Sequence, residues 1–247
     1  MAAFRRIVIA AVLAGLIAGL IVTAIHALAV VPLIREAEVY ERNAASPPVD
    51  RGQPDARTHE ASTVTGLGHE PGAPEDKDGA PALLDTAIAN VLTGIGFGLL
   101  VSAGMALQKR SNWRTDLLWG AAGYLTFFIA PAIGLPPELP GSEGAALMAR
   151  QLWWVGTVGA TGGGLALVLV RREWWLRALG VFLIVLPHVI GAPQSAGGLS
   201  TVPAALETRF IIVVLVAELL FWLVLAIAVG VLQRRSSVAT GLRREFG

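Results

Sequence analysis

The sequence predicts an all-α integral membrane protein, a six-span helical bundle with both termini in the cytoplasm. Three observations carry that reading. Apolar residues make up 54% of the 247 positions and charged residues only 15%, a balance that leaves too little polar surface to face water. Six apolar stretches are about as long as the ~20 residues that an α-helix needs to cross ~30 Å of hydrocarbon. The basic residues gather in alternate connecting segments, as they do when those segments stay on the cytoplasmic side.

The first span runs from Ile7 to Val31. Arg5 and Arg6 precede it and Ala27-Leu28-Ala29 imitates a signal cleavage site, but its uncharged core exceeds the ~7–15 residues of a signal peptide. Arg35, Glu36, Glu38, Tyr40 and Glu41 follow, and Glu38 and Arg42 stand four apart, the spacing of a helical ion pair on a solvated helix end. Residues 44–82 are rich in Pro, Gly, Asp and Glu without apolar periodicity, which predicts a flexible periplasmic loop. His59 and His69 lie in it among Glu60, Glu70, Glu75, Asp76 and Asp78, a composition that attracts cations only weakly when the chain is unordered.

The second, third and fourth spans run from Leu83 to Leu107, Leu117 to Leu135 and Gln151 to Val170. Trp153 and Trp154 stand where aromatic rings anchor a helix at the headgroups. The fifth, Trp175 to Ala192, is the shortest, with Arg177 near its start and Pro193 just beyond; the sixth runs from Phe210 to Leu232. Charge decides in favour of the fifth. With six crossings, the inner segments hold Arg5, Arg6, Lys109, Arg110, Arg114, Arg171, Arg172, Arg177, Arg234, Arg235, Arg243 and Arg244, twelve of the 19 basic residues. Five crossings would put Arg234 and Arg235 outside and break the pattern. Small residues four apart, Gly15 and Gly19, Gly94 and Gly98, Gly159 and Gly163, predict close approach of neighbouring helices on each of those faces.

Several classes of function fall away. The chain has no cysteine, which removes disulfides, thiolate ligands and cysteine nucleophiles. Its formal net charge is +1 with no basic stripe, so nucleic acid is not a partner. No phosphate-binding glycine loop, nucleophile elbow or zinc-protease helix occurs, so the chain is read as no enzyme and as holding no cofactor.

What remains is the polar content of the spans. A titratable side chain at the centre of a membrane helix costs at least ~2.5 kcal/mol on insertion scales, so each one asks for a reason. His26, His188 and Glu218 all fall in the outer half of their spans, and Asn90 lies at a similar level. Two imidazoles and a carboxylate suit cobalt, nickel or zinc, whereas magnesium and calcium want mostly oxygen. Taken singly, each of these residues also has a structural reading: His26 and His188 hydrogen-bond neighbouring backbone near the headgroups, and Glu218 is protonated and hydrogen-bonded. Their shared level is what points to a metal site at His26, His188 and Glu218. Pro187, His188, Gly191 and Pro193 mark a kinked helix exit beside it.

The strings FRRIVIAAVLAGLIAGL, AEVYE, APED, ANVLTGIGFGLL, GLPPELPGSEGAALMARQLWW, PHVIGAPQ, VPAALETRF and FWLVLAIAVG, in that order over nearly the whole chain, resemble the CbtA family of proposed cobalt transporter subunits. The resemblance implies a permease subunit for divalent metal uptake in the bacterial inner membrane, with Co2+ as the transported ion and a link to cobalamin supply. It also implies a partner, a small single-span CbtB-like subunit with a His-rich end. It carries over no ligand set. The alternative is a non-transporting membrane scaffold or assembly partner for another subunit, and self-association into a homo-oligomer stays open.

Overall fold

The computed structural model describes residues 2–45, 80–107, 112–142, 144–194 and 200–245. The expected loop at 44–82, with His59 and His69, lies almost entirely outside the described residues. Among the described residues all regular structure is helical. That follows from the solvent: in hydrocarbon each backbone amide must be satisfied within its own segment.

Eight α-helices and two π turns line up as six rods. The first comprises α1 (Ala2–Ile25), a π turn at His26–Val30 and α2 (Val31–Ala45). α3 (Ala80–Ala106) is the second. The third joins α4 (Trp113–Tyr124), a π turn at Leu125–Ile129 and α5 (Ala130–Gly134). The others are α6 (Leu147–Val170), α7 (Trp174–Ile190) and α8 (Ala204–Glu245). Five rods are long and apolar enough to cross a membrane, and α7 is an apolar helix of 17 residues, about 25 Å at 1.5 Å per residue.

Side-chain contacts fix the direction of each rod. Ile7 of α1, Ser102 of α3 and Gln233 of α8 meet at one end, which therefore carries both chain termini; we call it the terminal end. His26 approaches Glu218 towards the other, far end. α7 runs the length of α6: Gly180 lies against Gly164, and beyond it His188 reaches the ring of Trp153 near the start of α6. The six rods therefore alternate in direction, an even number of passes that returns the chain to its starting end.

α8 is the hub, packing on α1, α3 and α4. Its Phe221, Trp222, Leu225, Ala226 and Val229 are buried with Ala14, Ala18 and Val22 of α1 and with Val101 and Met105 of α3. A smaller apolar cluster at the far end joins Leu33 and Ala37 of α2 to Val202, Leu206 and Phe210. This cluster explains why the first rod continues four turns past the expected span: one face of α2 is covered by protein. The α6–α7 hairpin attaches mainly through contacts of α6 with the second π turn and α5.

The glycine expectation holds on one rod pair and fails on another. A Cβ at Gly94 would lie 2.6 Å from the Gly15 carbonyl oxygen, and one at Gly98 2.8 Å from that of Ala11, so α1 and α3 touch backbone to backbone. Nothing lies within 4 Å of a Cβ built at Gly159 or Gly163. The close contact of α6 is made by Gly164, 2.5 Å from the Gly180 oxygen on the same measure. One residue turns a helix by ~100°, so the face with the evident small-residue spacing is not the face that meets α7.

Both π turns have the same cause. In the first, the Val31 amide donates to the His26 carbonyl; in the second, Ala130 donates to Leu125. Each turn is followed two residues later by a proline, Pro32 or Pro131. Proline lacks the donor that the carbonyl four residues before it would use, and its ring presses on that carbonyl. A widened turn is how the helix runs on past that defect, and such turns recur at functional positions.

Candidate functional site

The first π turn opens on His26, and the widened turn carries its imidazole to face α8. There its Nε2 lies 3.9 Å from Oε1 of Glu218, with the two side chains 21% and 24% exposed. That is beyond hydrogen-bonding distance, so the two groups face each other across a gap. The second π turn starts directly after Tyr124, whose hydroxyl donates to the Leu215 carbonyl at 2.9 Å, near enough to Glu218 to interact with it electrostatically. The bases of both proline-widened turns therefore border one site.

About one turn nearer the terminal end on α1, the Thr23 hydroxyl donates to the Gly19 carbonyl at 2.7 Å and accepts from the Asn90 amide nitrogen at 3.0 Å. Asn90 thus ties α3 to α1 just beneath His26. Past Glu218 in the same direction lies a cluster of rings. Phe127 stacks on Trp222 at 5.5 Å, and Phe97 lies 4.8 Å from both. Phe221 adds its edge to Trp222 at 5.8 Å.

His188 is not part of this site. Its ring meets the edge of Trp153 at 6.1 Å, and its helix, α7, packs on α6. Trp153 in turn donates from its indole nitrogen to the Pro131 carbonyl at 3.4 Å and lies against Gly134, so it is built into the bundle as well as placed near the surface. Among the described residues no three His, Cys, Asp or Glu side chains group to hold a metal ion. Of the three ligands expected from the sequence, the fold brings two together.

With metal–ligand distances of ~2.1 Å, neighbouring ligands in tetrahedral or octahedral geometry stand ~3.0–3.4 Å apart, so a 3.9 Å gap needs a closure of under an ångström to share one ion. An ion held by one imidazole and one carboxylate is stripped only in part and is free to leave.

A second charged pair lies at the terminal end, and nothing in the sequence pattern singled it out. Asp116, in the first turn of α4, is 1% exposed, and Nη1 of Arg234 donates to its Oδ2 at 2.5 Å. A Cβ at Gly230 would run into that carboxylate, so glycine there is what lets Asp116 sit against α8. Next to Arg234, the Gln233 amide donates to the Ser102 carbonyl at 2.9 Å and to its hydroxyl at 2.7 Å, and that hydroxyl donates to the Ile7 carbonyl at 3.2 Å. The Asn112 side chain caps α4, accepting from Arg114 and Thr115, while Thr115 returns the bond; this fixes the turn from which Asp116 points.

A family model described as probable cobalt transporter subunit (CbtA) covers residues 4–234, nearly the whole chain. No curated protein and no solved structure matches.

Proposed function

The chain belongs to the CbtA family of probable cobalt transporter subunits, and from that premise we propose that it is a multi-pass permease subunit through which hydrated Co2+ crosses the bacterial inner membrane. The ion enters from the far end, facing the periplasm, pauses between His26 and Glu218, and leaves at the terminal end into the cytoplasm, where it supplies cobalamin synthesis. The observation that carries this reading is the gap itself. A carboxylate and an imidazole, each costly in lipid, face each other at 3.9 Å without a hydrogen bond and with partial exposure. The borderline character of nitrogen with oxygen ligation favours a late first-row divalent ion over magnesium or calcium. Affinity alone ranks nickel and copper above cobalt, so preference for cobalt comes from geometry and supply.

The word subunit in the family description supports a partner. A small His-rich, single-span subunit of the CbtB type fits an apolar groove of about 670 Å³ between α3, α4 and α6 that includes Leu100, Trp119, Gly159, Gly163 and Trp222. The unopposed glycines of α6 give a partner helix backbone-close access there.

The test is uptake of radiolabelled Co2+ into vesicles containing the purified chain, with and without such a partner. We expect saturable uptake that excess Ni2+ reduces and excess Mg2+ does not, and that Glu218→Gln lowers by about tenfold or more, as loss of a metal-coupled group does. Uptake that requires no Glu218 would overturn the site; no uptake under any combination would leave a scaffold.

A further inference from the structure

The turn between α6 and α7 lies at the terminal end, since His188 and Trp153 meet at the other end of that hairpin. Only Arg171, Arg172 and Glu173 connect the two helices, and Arg177 stands one turn into α7. All four side chains are exposed. The Arg171 amide donates to the Leu167 carbonyl, Nε of Arg177 donates to the Arg171 carbonyl at 2.8 Å, and Glu173 accepts from the Arg172 amide at 3.2 Å. The turn is thus held by backbone amides and a single N–H of Arg177, and the guanidiniums of Arg171 and Arg172 take no part. Elsewhere Glu138 takes Arg150 and Asp116 takes Arg234, but among the described residues no carboxylate pairs with Arg171, Arg172 or Arg177. Three cations against one anion between residues 171 and 177 leave this tip without an internal counter-charge.

What lies beside the arginines says what supplies it. Trp174 and Trp175, in the first turn of α7, are 80% and 56% exposed. Towards the bilayer centre the flank of the hairpin is bare, with Leu169, Val170, Val181 and Phe182 all exposed. The start of α4 lines one groove with the end of α6, and there the Arg114 guanidinium lies 5.4 Å from the centre of the exposed Trp113 ring, so the same cationic, indole-bearing rim continues. A soluble anion would meet the arginines and leave the apolar flank uncovered; a molecule with an anionic head and apolar chains meets both. Arginine takes a phosphate through two parallel bonds, and an indole settles at headgroup level with its ring in the apolar phase and its N–H towards the polar one. We propose that the α6–α7 turn binds an anionic phospholipid, its phosphate held by Arg171 and Arg172, its ester region against Trp174 and Trp175, and its chains along the exposed flank of the hairpin. This hairpin joins the bundle mainly through the second π turn and α5, so the lipid anchors its tip where protein contacts are sparse. The site does not depend on what the chain transports.

The test uses the full chain purified in a mild detergent, with phosphatidylglycerol or phosphatidylcholine of matched chains added, and native mass spectrometry to measure the lipid retained. The parent is expected to keep phosphatidylglycerol and to release phosphatidylcholine. Arg171→Gln combined with Arg172→Gln is expected to lower phosphatidylglycerol retention by about tenfold or more. Arg171→Lys with Arg172→Lys keeps the charge that orients the helices and removes only the planar fork, and is expected to lower it by about threefold. Arg35→Gln with Arg209→Gln removes the same charge from exposed positions at the far end and is expected to leave retention within about twofold of the parent. The proposal is overturned if the Arg171 and Arg172 glutamine pair keeps the lipid as the parent does, if both glutamine pairs lose it equally, or if phosphatidylcholine is kept as well as phosphatidylglycerol. It is also overturned if inorganic phosphate or a polyglutamate peptide displaces the lipid, the behaviour of a site for a soluble anion. No metal is used, so a null cobalt-uptake result would remove the transport reading and leave this outcome standing.

Discussion

The two carboxylates that face α8 neighbours, Glu218 and Asp116, are handled in opposite ways. Asp116 is sealed, 1% exposed, and bonded to a permanent cation at 2.5 Å. Glu218 is about a quarter exposed and opposed at 3.9 Å by an imidazole that carries a cation only when protonated. Burial of a carboxylate is tolerable when its partner is fixed and close; a carboxylate left beside a gap in an apolar bundle keeps its capacity for a partner that comes and goes. The contrast teaches that a charge in the membrane is a site in proportion to how incompletely its own chain satisfies it. The comparison is sharpened by substitutions that should separate activity from stability at the two positions.

The largest effect is expected on transport. Glu218→Gln should lower Co2+ uptake by about tenfold or more while changing the thermal midpoint in detergent very little, since no close pair is broken there. Arg234→Ala should do the reverse in character, costing about 3 kcal/mol of stability in a denaturant titration because it removes a cation bonded to a buried carboxylate. Asp116→Asn should cost only about 1 kcal/mol in the same titration, because the Arg234 side chain is partly exposed and its charge is already solvated in part. An equal loss for both would contradict the unequal burial of the two partners.

Smaller differences test the helix contacts. Gly94→Ala, whose new methyl meets the Gly15 carbonyl, should destabilise by about 1–3 kcal/mol. Gly159→Ala, which meets nothing within 4 Å, should stay within about 0.5 kcal/mol in the isolated chain, yet weaken capture of a single-span partner if the groove receives one. His188→Ala should change uptake by less than about twofold, the outcome for a ring that packs on Trp153 and does not meet His26 and Glu218.

Much of the architecture was legible because lipid leaves few choices. Uncharged runs gave the helical rods, and alternating arginines argued for α7, which is too short to stand on hydropathy alone. Depth was legible too: His26 and Glu218 were placed at one level by counting residues from the span ends. Rotation of each helix about its own axis was not, because counting gives height and not azimuth. That is why His188, at a similar height, ends on the α6–α7 hairpin, and why Gly164 rather than Gly163 makes the α6 contact. The Asp116–Arg234 pair escaped notice for a different reason. Each residue stands near a span boundary, where a charge needs no explanation, and Arg234 had already been counted as an orienting cation. The π turns carried a signal that could have been used, since Pro32 and Pro131 each interrupt an apolar helix just beyond His26 and Tyr124.

In the proposed function His26 and Glu218 act as one ion site. A double-mutant cycle in Co2+ uptake tests this most directly, comparing the parent with His26→Ala, Glu218→Gln and the pair combined in the same vesicles. A shared site predicts that either single change removes nearly as much uptake as both together. Losses that multiply, or a single variant that transports at the parent rate, would show that the two side chains face each other without sharing an ion.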